Sequence, residues 1–138
     1  MTRRHLLFAA GLPFLRFPCS AALESATVRG QLGQSADGQP VLETEGRQVY
    51  LQGDEATTDV LSDERLKGTD FEAIGHFKSP DHFEINGIHT RSMFVHKAGQ
   101  RLLITYWCDV CYIRTYSPGK CVCCQKYTDL DLRERDDQ

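Results

Sequence analysis

Residues 47–77, RQVYLQGDEATTDVLSDERLKGTDFEAIGHF, carry two β-strand patterns on either side of one short helical pattern. Residues 47–53 alternate apolar and polar side chains, which predicts a half-buried strand. Residues 57–68 form the one clear helix candidate, because a Thr-Asp pair can cap its start and Gly68 can end it. Residues 71–77 return to a β-rich pattern. This order predicts a sheet that is interrupted once by a helix.

Further strand patterns lie on both sides of this stretch, and Gly/Pro-rich or Lys-Ala-Gly-Gln turns separate them. The additional predicted strands are 27–32, 83–88, 92–96, 101–107 and a short one around Leu130 and Leu132. The predicted fold class is mainly β: a small antiparallel barrel with one short helix and a C-terminal Cys-rich β-hairpin. The layout from residue 27 to residue 88 resembles an OB-fold barrel, a fold that often binds nucleic acid or sugar.

Composition and charge restrict the classes of partner. The chain has 138 residues with 16 basic and 19 acidic side chains, a formal net charge of −3. Removal of residues 1–22 would leave 13 basic against 19 acidic side chains, because only arginines are charged in that segment. A chain this acidic has no bulk attraction for a phosphate backbone. We therefore expect one small domain that does not bind nucleic acid.

The first 22 residues have the composition of a signal peptide. Two arginines precede an apolar stretch at residues 6–15, and small side chains allow cleavage after Ala22. The apolar stretch is too short to span a bilayer, which takes about 20 residues. Cys19 lacks the Leu-small-small sequence that precedes a lipidated cysteine. The sequence therefore predicts a periplasmic or secreted protein without a stable membrane anchor.

The start also resembles the twin-arginine signal family, whose pattern is Ser/Thr-Arg-Arg-x-Phe-Leu-Lys. It reads Thr2-Arg3-Arg4-His5-Leu6-Leu7-Phe8, so that Leu6 and Phe8 depart from the pattern. The resemblance implies export of an already folded protein, which can load a metal in the reducing cytoplasm. Oxidation of free thiols to disulfides would otherwise be favoured after export.

Five of the six cysteines lie in residues 107–124, WCDVCYIRTYSPGKCVCC. Their spacing is C-x2-C-x9-C-x-C-C. The Ser-Pro-Gly-Lys turn at 117–120 predicts a tight hairpin that pairs Tyr116 with Cys121 and Ile113 with Cys124. Such a hairpin would bring the two groups of thiols together.

A structural zinc site is the favoured interpretation, because Zn²⁺ takes four tetrahedral ligands and prefers thiolates. The pattern resembles zinc ribbons and knuckles, although the glycine that often follows a knuckle is absent. The resemblance implies four ligands and one spare cysteine. The candidate metal ligands are Cys108, Cys111, Cys121 and Cys124, with Cys123 as a fifth candidate. His89 and His96 are weaker candidates, because the predicted strands place them near the cysteines.

Three alternatives use the same cysteines. Residues 107–111, Trp-Cys-Asp-Val-Cys, resemble the W-C-x-x-C of thioredoxin-like proteins, which implies thiol redox chemistry. A β-branched and aromatic segment follows them, however, rather than a helix. Four cysteines also suit an iron–sulfur cluster for electron transfer. Two disulfides with one free thiol are the third alternative.

The sequence divides the chain into four parts: a signal peptide (1–22), the barrel (23–106), the Cys-cluster metal-binding hairpin (107–132) and a disordered tail (133–138). No Ser/His/Asp set or pair of acids has a catalytic signature, so a binding protein is favoured over an enzyme and enzymatic activity stays open. We expect an exported metal-binding β-domain with a binding or scaffold role in the cell envelope. Its partner is an unidentified ligand or an envelope protein.

Overall fold

A computed structural model describes residues 25–135 of the chain. Within that range the chain forms nine strands, one α-helix and two short 3₁₀ turns. The elements in chain order are β1 (Ala26–Gln34), β2 (Pro40–Thr44), β3 (Arg47–Gln52), α1 (Glu55–Leu61), a 3₁₀ turn (Glu64–Leu66), β4 (Asp70–Ser79), β5 (His82–Ile85), a second 3₁₀ turn (His89–Arg91), β6 (Met93–Lys97), β7 (Gln100–Cys108), β8 (Ile113–Thr115) and β9 (Asp129–Glu134).

The first five strands close into a barrel in the order β1-β2-β3-β5-β4-β1. All neighbours in this ring are antiparallel except β3 and β5, which run parallel with Leu51 opposite Phe83. Closure comes from β1 and β4, where Gly30 lies opposite Phe71. The prediction of a mainly β, OB-like barrel is therefore confirmed. Closure also removes the two exposed edges that an open five-stranded sheet would have.

The helix lies between β3 and β4, as predicted, but it is shorter and begins earlier. Its N-cap is Asp54, whose carboxylate accepts a hydrogen bond of 2.9 Å from the backbone N–H of Thr57. It ends at Leu61, because Asp63 caps a separate 3₁₀ turn by accepting from the N–H of Arg65. Two caps in ten residues thus divide the predicted 57–68 helix into two pieces.

Strand β2 was not predicted. Val41 and Leu42 are adjacent and both fully buried, so the strand does not show the alternation that marks a half-buried strand. The segment before it, residues 33–40, was correctly interpreted as a turn region, although β1 extends into it as far as Gln34.

Four further strands extend the sheet beyond the barrel. Strand β6 pairs with the first half of β4, and β7 pairs with β6. Strands β9 and β8 then both pair with β7. Ile104 and Tyr106 of β7 lie in the same hydrophobic core as the barrel strands. Strand β7 therefore belongs to the core along most of its length and carries Cys108 at its end.

Strand β9 continues through Glu134, so Arg133 and Glu134 lie in a strand rather than in the predicted tail. The predicted signal peptide (1–22) and the last three residues lie outside the described residues. Among residues 25–135, no helix is both long and apolar enough to cross a membrane.

Candidate metal centre

The first pair of cysteines lies in a tight turn between β7 and β8. Cys108 ends β7 and lies opposite Ile113 of β8. The N–H of Cys111 donates to the Sγ of Cys108 over 3.4 Å, and the N–H of Tyr112 donates to the Cys108 carbonyl over 2.9 Å. Tyr112 closes the turn with a left-handed backbone (φ 55°). This turn therefore points the sulfur of Cys108 at backbone N–H groups.

The second group of cysteines repeats this turn. The N–H of Gln125 donates to the Cys121 carbonyl over 2.9 Å, and Gln125 is also left-handed (φ 62°). Backbone hydrogen bonds from Cys124 and Cys123 lower the pKa of the Cys121 thiol to about 7, since they stabilise the thiolate. Cys121 and Cys124 thus form a C-x2-C turn of the same form as Cys108 and Cys111.

The two turns bring four sulfur atoms together. The Sγ atoms of Cys108, Cys111, Cys121 and Cys124 all lie within 4.8 Å of one another. Those of Cys108 and Cys124 are 3.5 Å apart. A tetrahedral ion with bonds of about 2.3 Å to sulfur sets its ligands about 3.8 Å apart. The four cysteines can therefore hold a metal ion.

Burial of the four thiols is uneven. The first cysteine of each turn is almost completely buried, with Cys108 at 3% and Cys121 at 1% exposure. Cys111 and Cys124 are partly exposed. The group therefore sits at the surface of the domain, with two sulfurs directed inward and two at the rim.

The fifth cysteine, Cys123, is exposed and is not a member of this group. The pKa of the Cys111 thiol is raised, mainly because of a hydrogen bond with the Cys123 thiol and secondly because of burial. Cys123 therefore lies beside the rim of the group, on the solvent side.

The predicted hairpin around Pro118 and Gly119 is not what unites the cysteines. Strand β8 ends at Thr115, and its partner is β7 rather than the second cysteine segment. The chain then crosses irregularly to the second turn, where the Gly119 carbonyl accepts from both the N–H and the hydroxyl of Thr128. The predicted pairs Tyr116–Cys121 and Ile113–Cys124 are wrong, because the first pair of cysteines forms a hairpin turn of its own.

Arg114 of β8 links the cysteine region to strands β7 and β9 through side-chain hydrogen bonds. Its guanidinium donates to Asp131 over 2.8 Å and to the hydroxyl of Thr105 over 2.7 Å. It also lies 4.9 Å from the centre of the Trp107 ring. Sequence reasoning missed this arginine, because its partners lie on two strands whose pairing could not be read from the sequence.

The two histidines that were candidate ligands, His89 and His96, make hydrogen bonds away from the four cysteines. His89 Nε2 donates to the Tyr116 carbonyl over 2.9 Å, and His96 Nε2 lies 2.9 Å from a carboxylate oxygen of Glu72. Neither belongs to the group of four cysteines.

Comparison of the chain with family models, curated proteins and solved structures finds no match. The candidate function therefore rests on the residues and their geometry alone.

Proposed function

We propose that this is a metal-binding β-domain in which Cys108, Cys111, Cys121 and Cys124 hold one Zn²⁺ ion in a structural role. The observation that carries the proposal is the repeated turn, which brings four sulfurs within 4.8 Å of one another, close enough to share a single ion. Backbone N–H groups directed at the sulfur of Cys121 lower the pKa of its thiol and so favour the thiolate, the form that binds metal. The N–H of Cys111 acts in the same direction on Cys108, but burial and the neighbouring Cys124 and Cys121 thiols together raise the pKa of the Cys108 thiol.

The geometry favours one ion over an iron–sulfur cluster. A cluster places several iron atoms between its cysteines and so needs sulfurs more widely spread than a single ion does. The separation of 3.5 Å between the Sγ atoms of Cys108 and Cys124 suits two ligands of one ion better than two ligands on different iron atoms.

The local structure also disfavours thiol redox catalysis. In a thioredoxin-like site the first cysteine opens a helix whose N-terminus lowers its pKa. Cys108 instead ends a strand, and the chain returns as β8 after four residues. Four ligands from the protein would fill a tetrahedral shell, as in structural zinc sites.

Metal content of the chain purified under reducing conditions tests the proposal. The unsubstituted chain should retain about one zinc per chain. Cys108→Ser and Cys121→Ser should lose most of it, because three thiolates bind far more weakly than four. Cys123→Ser is the matched control and should keep the metal. Bound iron with a visible absorbance would replace zinc in the proposal, and a metal-free chain with two disulfides would overturn it.

We further propose that the domain acts after export, as a binding or scaffold protein of the cell envelope. The supporting features are the arginine pair, the short apolar stretch and the small residues before Leu23. Intact mass of the protein recovered from the periplasm should correspond to a chain that begins at Leu23. Substitution of both Arg3 and Arg4 by lysine should keep the precursor in the cytoplasm. Unchanged export of that variant would exclude the twin-arginine route.

A further inference from the structure

A cleft of about 470 Å³ lies outside the barrel, on the sheet extension formed by β6 and β7. Its apolar wall includes Phe94 and Leu103, which lie directly opposite each other on these strands. Their neighbours Val95 and Leu102 also form a pair, and since successive side chains alternate, this pair faces the other side of the sheet. Tyr116, which follows β8, completes the wall. The cleft is therefore separate from the cysteines, and it borders the barrel core only through Ile104.

Three arginines line this cleft, and no acidic side chain does. They are Arg91 of the second 3₁₀ turn, Arg101 of β7 and Arg135, which follows β9. The chain as a whole carries more acids than bases. A patch of three cations in an acidic protein is thus a local concentration of positive charge.

Arg101 is held in place by two contacts. Its guanidinium lies 3.6 Å from the centre of the Phe94 ring and donates to a carboxylate oxygen of Glu72 over 2.5 Å. Glu72 is buried and also contacts His96. A guanidinium has five N–H donors, so most of those of Arg101 remain available to a ligand.

Arg91 and Arg135 make no ion pair with any residue from 25 to 135. Arg91 is also exposed. Guanidinium groups that have no acidic partner in the described part of the chain and lie beside an apolar wall suit a ligand that combines negative charge with apolar surface. Charged hydrogen bonds from arginine to carboxylate or phosphate are among the strongest that proteins make.

We propose that this cleft binds a small organic anion, a carboxylate or phosphate carried on an apolar or aromatic body. The anionic group contacts Arg91 and Arg101 at the rim, and the apolar body lies against Leu103 and Tyr116. The volume is in the range of small-molecule sites, about 300–1,000 Å³. A long polyanion is disfavoured, because the rest of the acidic surface would repel it.

Backbone amide NMR of the full chain, with the metal it retains, tests this proposal at about 0.15 M salt, where weak surface attraction is screened. Phenyl phosphate carries both the negative charge and the apolar ring. Inorganic phosphate carries the charge alone, and benzyl alcohol carries the ring alone. Phenyl phosphate should shift the amides of Arg91, Phe94 and Leu103 saturably. Inorganic phosphate and benzyl alcohol should each bind at least tenfold more weakly.

Arg91→Gln should weaken phenyl phosphate binding by about tenfold or more, the loss expected for a charged hydrogen bond. Arg47→Gln is the matched control, because Arg47 is also exposed but lies on β3, outside the cleft. Equal effects of the two substitutions would reduce the interaction to general charge and overturn the proposal. Equal affinity for inorganic and phenyl phosphate would overturn the role of the apolar wall, and the absence of saturable shifts would overturn the site.

Discussion

Tyr112 and Gln125 occupy the same position in the two cysteine turns, one residue after the second cysteine. Both have a left-handed backbone, with φ of 55° and 62°, although neither is glycine. A side chain in this conformation costs roughly 1–2 kcal/mol. Each residue is nevertheless needed there, because its N–H closes the turn on the carbonyl of the first cysteine.

Gln125→Gly should relieve this strain and stabilise the metal-loaded protein by about 0.5–1 kcal/mol, after the greater flexibility of glycine in the unfolded chain is subtracted. Gln125→Ala is the control, because it shortens the side chain but keeps the strain. The free energy of unfolding in urea should therefore rank glycine above alanine by about 1 kcal/mol. Equal values for the two variants would show that the left-handed conformation is not strained.

The cysteine spacing allowed the four clustered thiols to be predicted, since a repeated C-x2-C is a pattern that metal ions select. The backbone of the two turns could not be predicted, because no glycine marks the left-handed positions. Tyr112 and Gln125 each follow a cysteine pair directly, and this shared position was the available signal in the sequence. The structure shows that both residues have a left-handed backbone.

Strand β4 is the element on which the barrel depends, because it pairs with β1, β5 and β6. Gly75 lies where two of these partners meet, opposite Ala26 of β1 and Ile85 of β5. A Cβ at this position would lie 1.9 Å from the carbonyl oxygen of Glu84. The strands can approach this closely only if residue 75 has no side chain.

Gly75→Ala should destabilise the protein by about 3 kcal/mol, because the strands must move apart to admit the methyl group. Gly33→Ala is the control: it also lies in a barrel strand, but a Cβ there meets no atom within 4 Å. Thermal unfolding followed by circular dichroism should show a large decrease in Tm for the first variant and a small change for the second. Similar Tm values for both would mean that β4 has room to adjust.

The elements themselves were largely predictable where their side chains alternate, as in β3, or where β-branched and aromatic residues dominate, as in β7. Strand β2 was missed because its two central residues are both buried, and the helix was overextended because Asp63 starts a second cap. The pairing of β7 with β8 could not be read from the sequence either. Pro118 and Gly119 gave a stronger turn signal than residues 109–112, where the turn occurs.

The whole molecule divides into a hydrophobic core and a smaller region organised by cysteines. All the buried residues of the core cluster lie between Val28 and Tyr106. Beyond Tyr106, Cys108 and Cys121 are the buried hydrophobic residues of the described chain. Apolar burial therefore stabilises the barrel, whereas the segment from 109 to 127 has little core of its own.

On the proposal of a bound zinc ion, a chelator under reducing conditions should increase hydrogen exchange about tenfold or more at residues 109–127. The amides of β1 to β5 should keep their protection, because their core does not include the cysteines. Mass spectrometry of peptic fragments measures both regions at once. The same chelator should have little effect on Cys108→Ser, which serves as the control. Loss of protection throughout the barrel would instead show that the barrel and residues 109–127 unfold as one cooperative unit.

The closure of the barrel also has a consequence for the order of folding. Ion pairing between Arg29 and Asp70 joins residues 41 positions apart, whereas the contact between Cys108 and Cys124 spans only 16. Short loops close with a smaller loss of entropy, and distant strand pairing is slow. We therefore expect the thiols to meet before the barrel is complete, so that a metal can shield them from oxidation while the longer-range contacts are still forming. Rapid mixing of the unfolded chain with Co²⁺ would show thiolate–metal absorbance before the native β signal, and the reverse order would contradict this sequence of events.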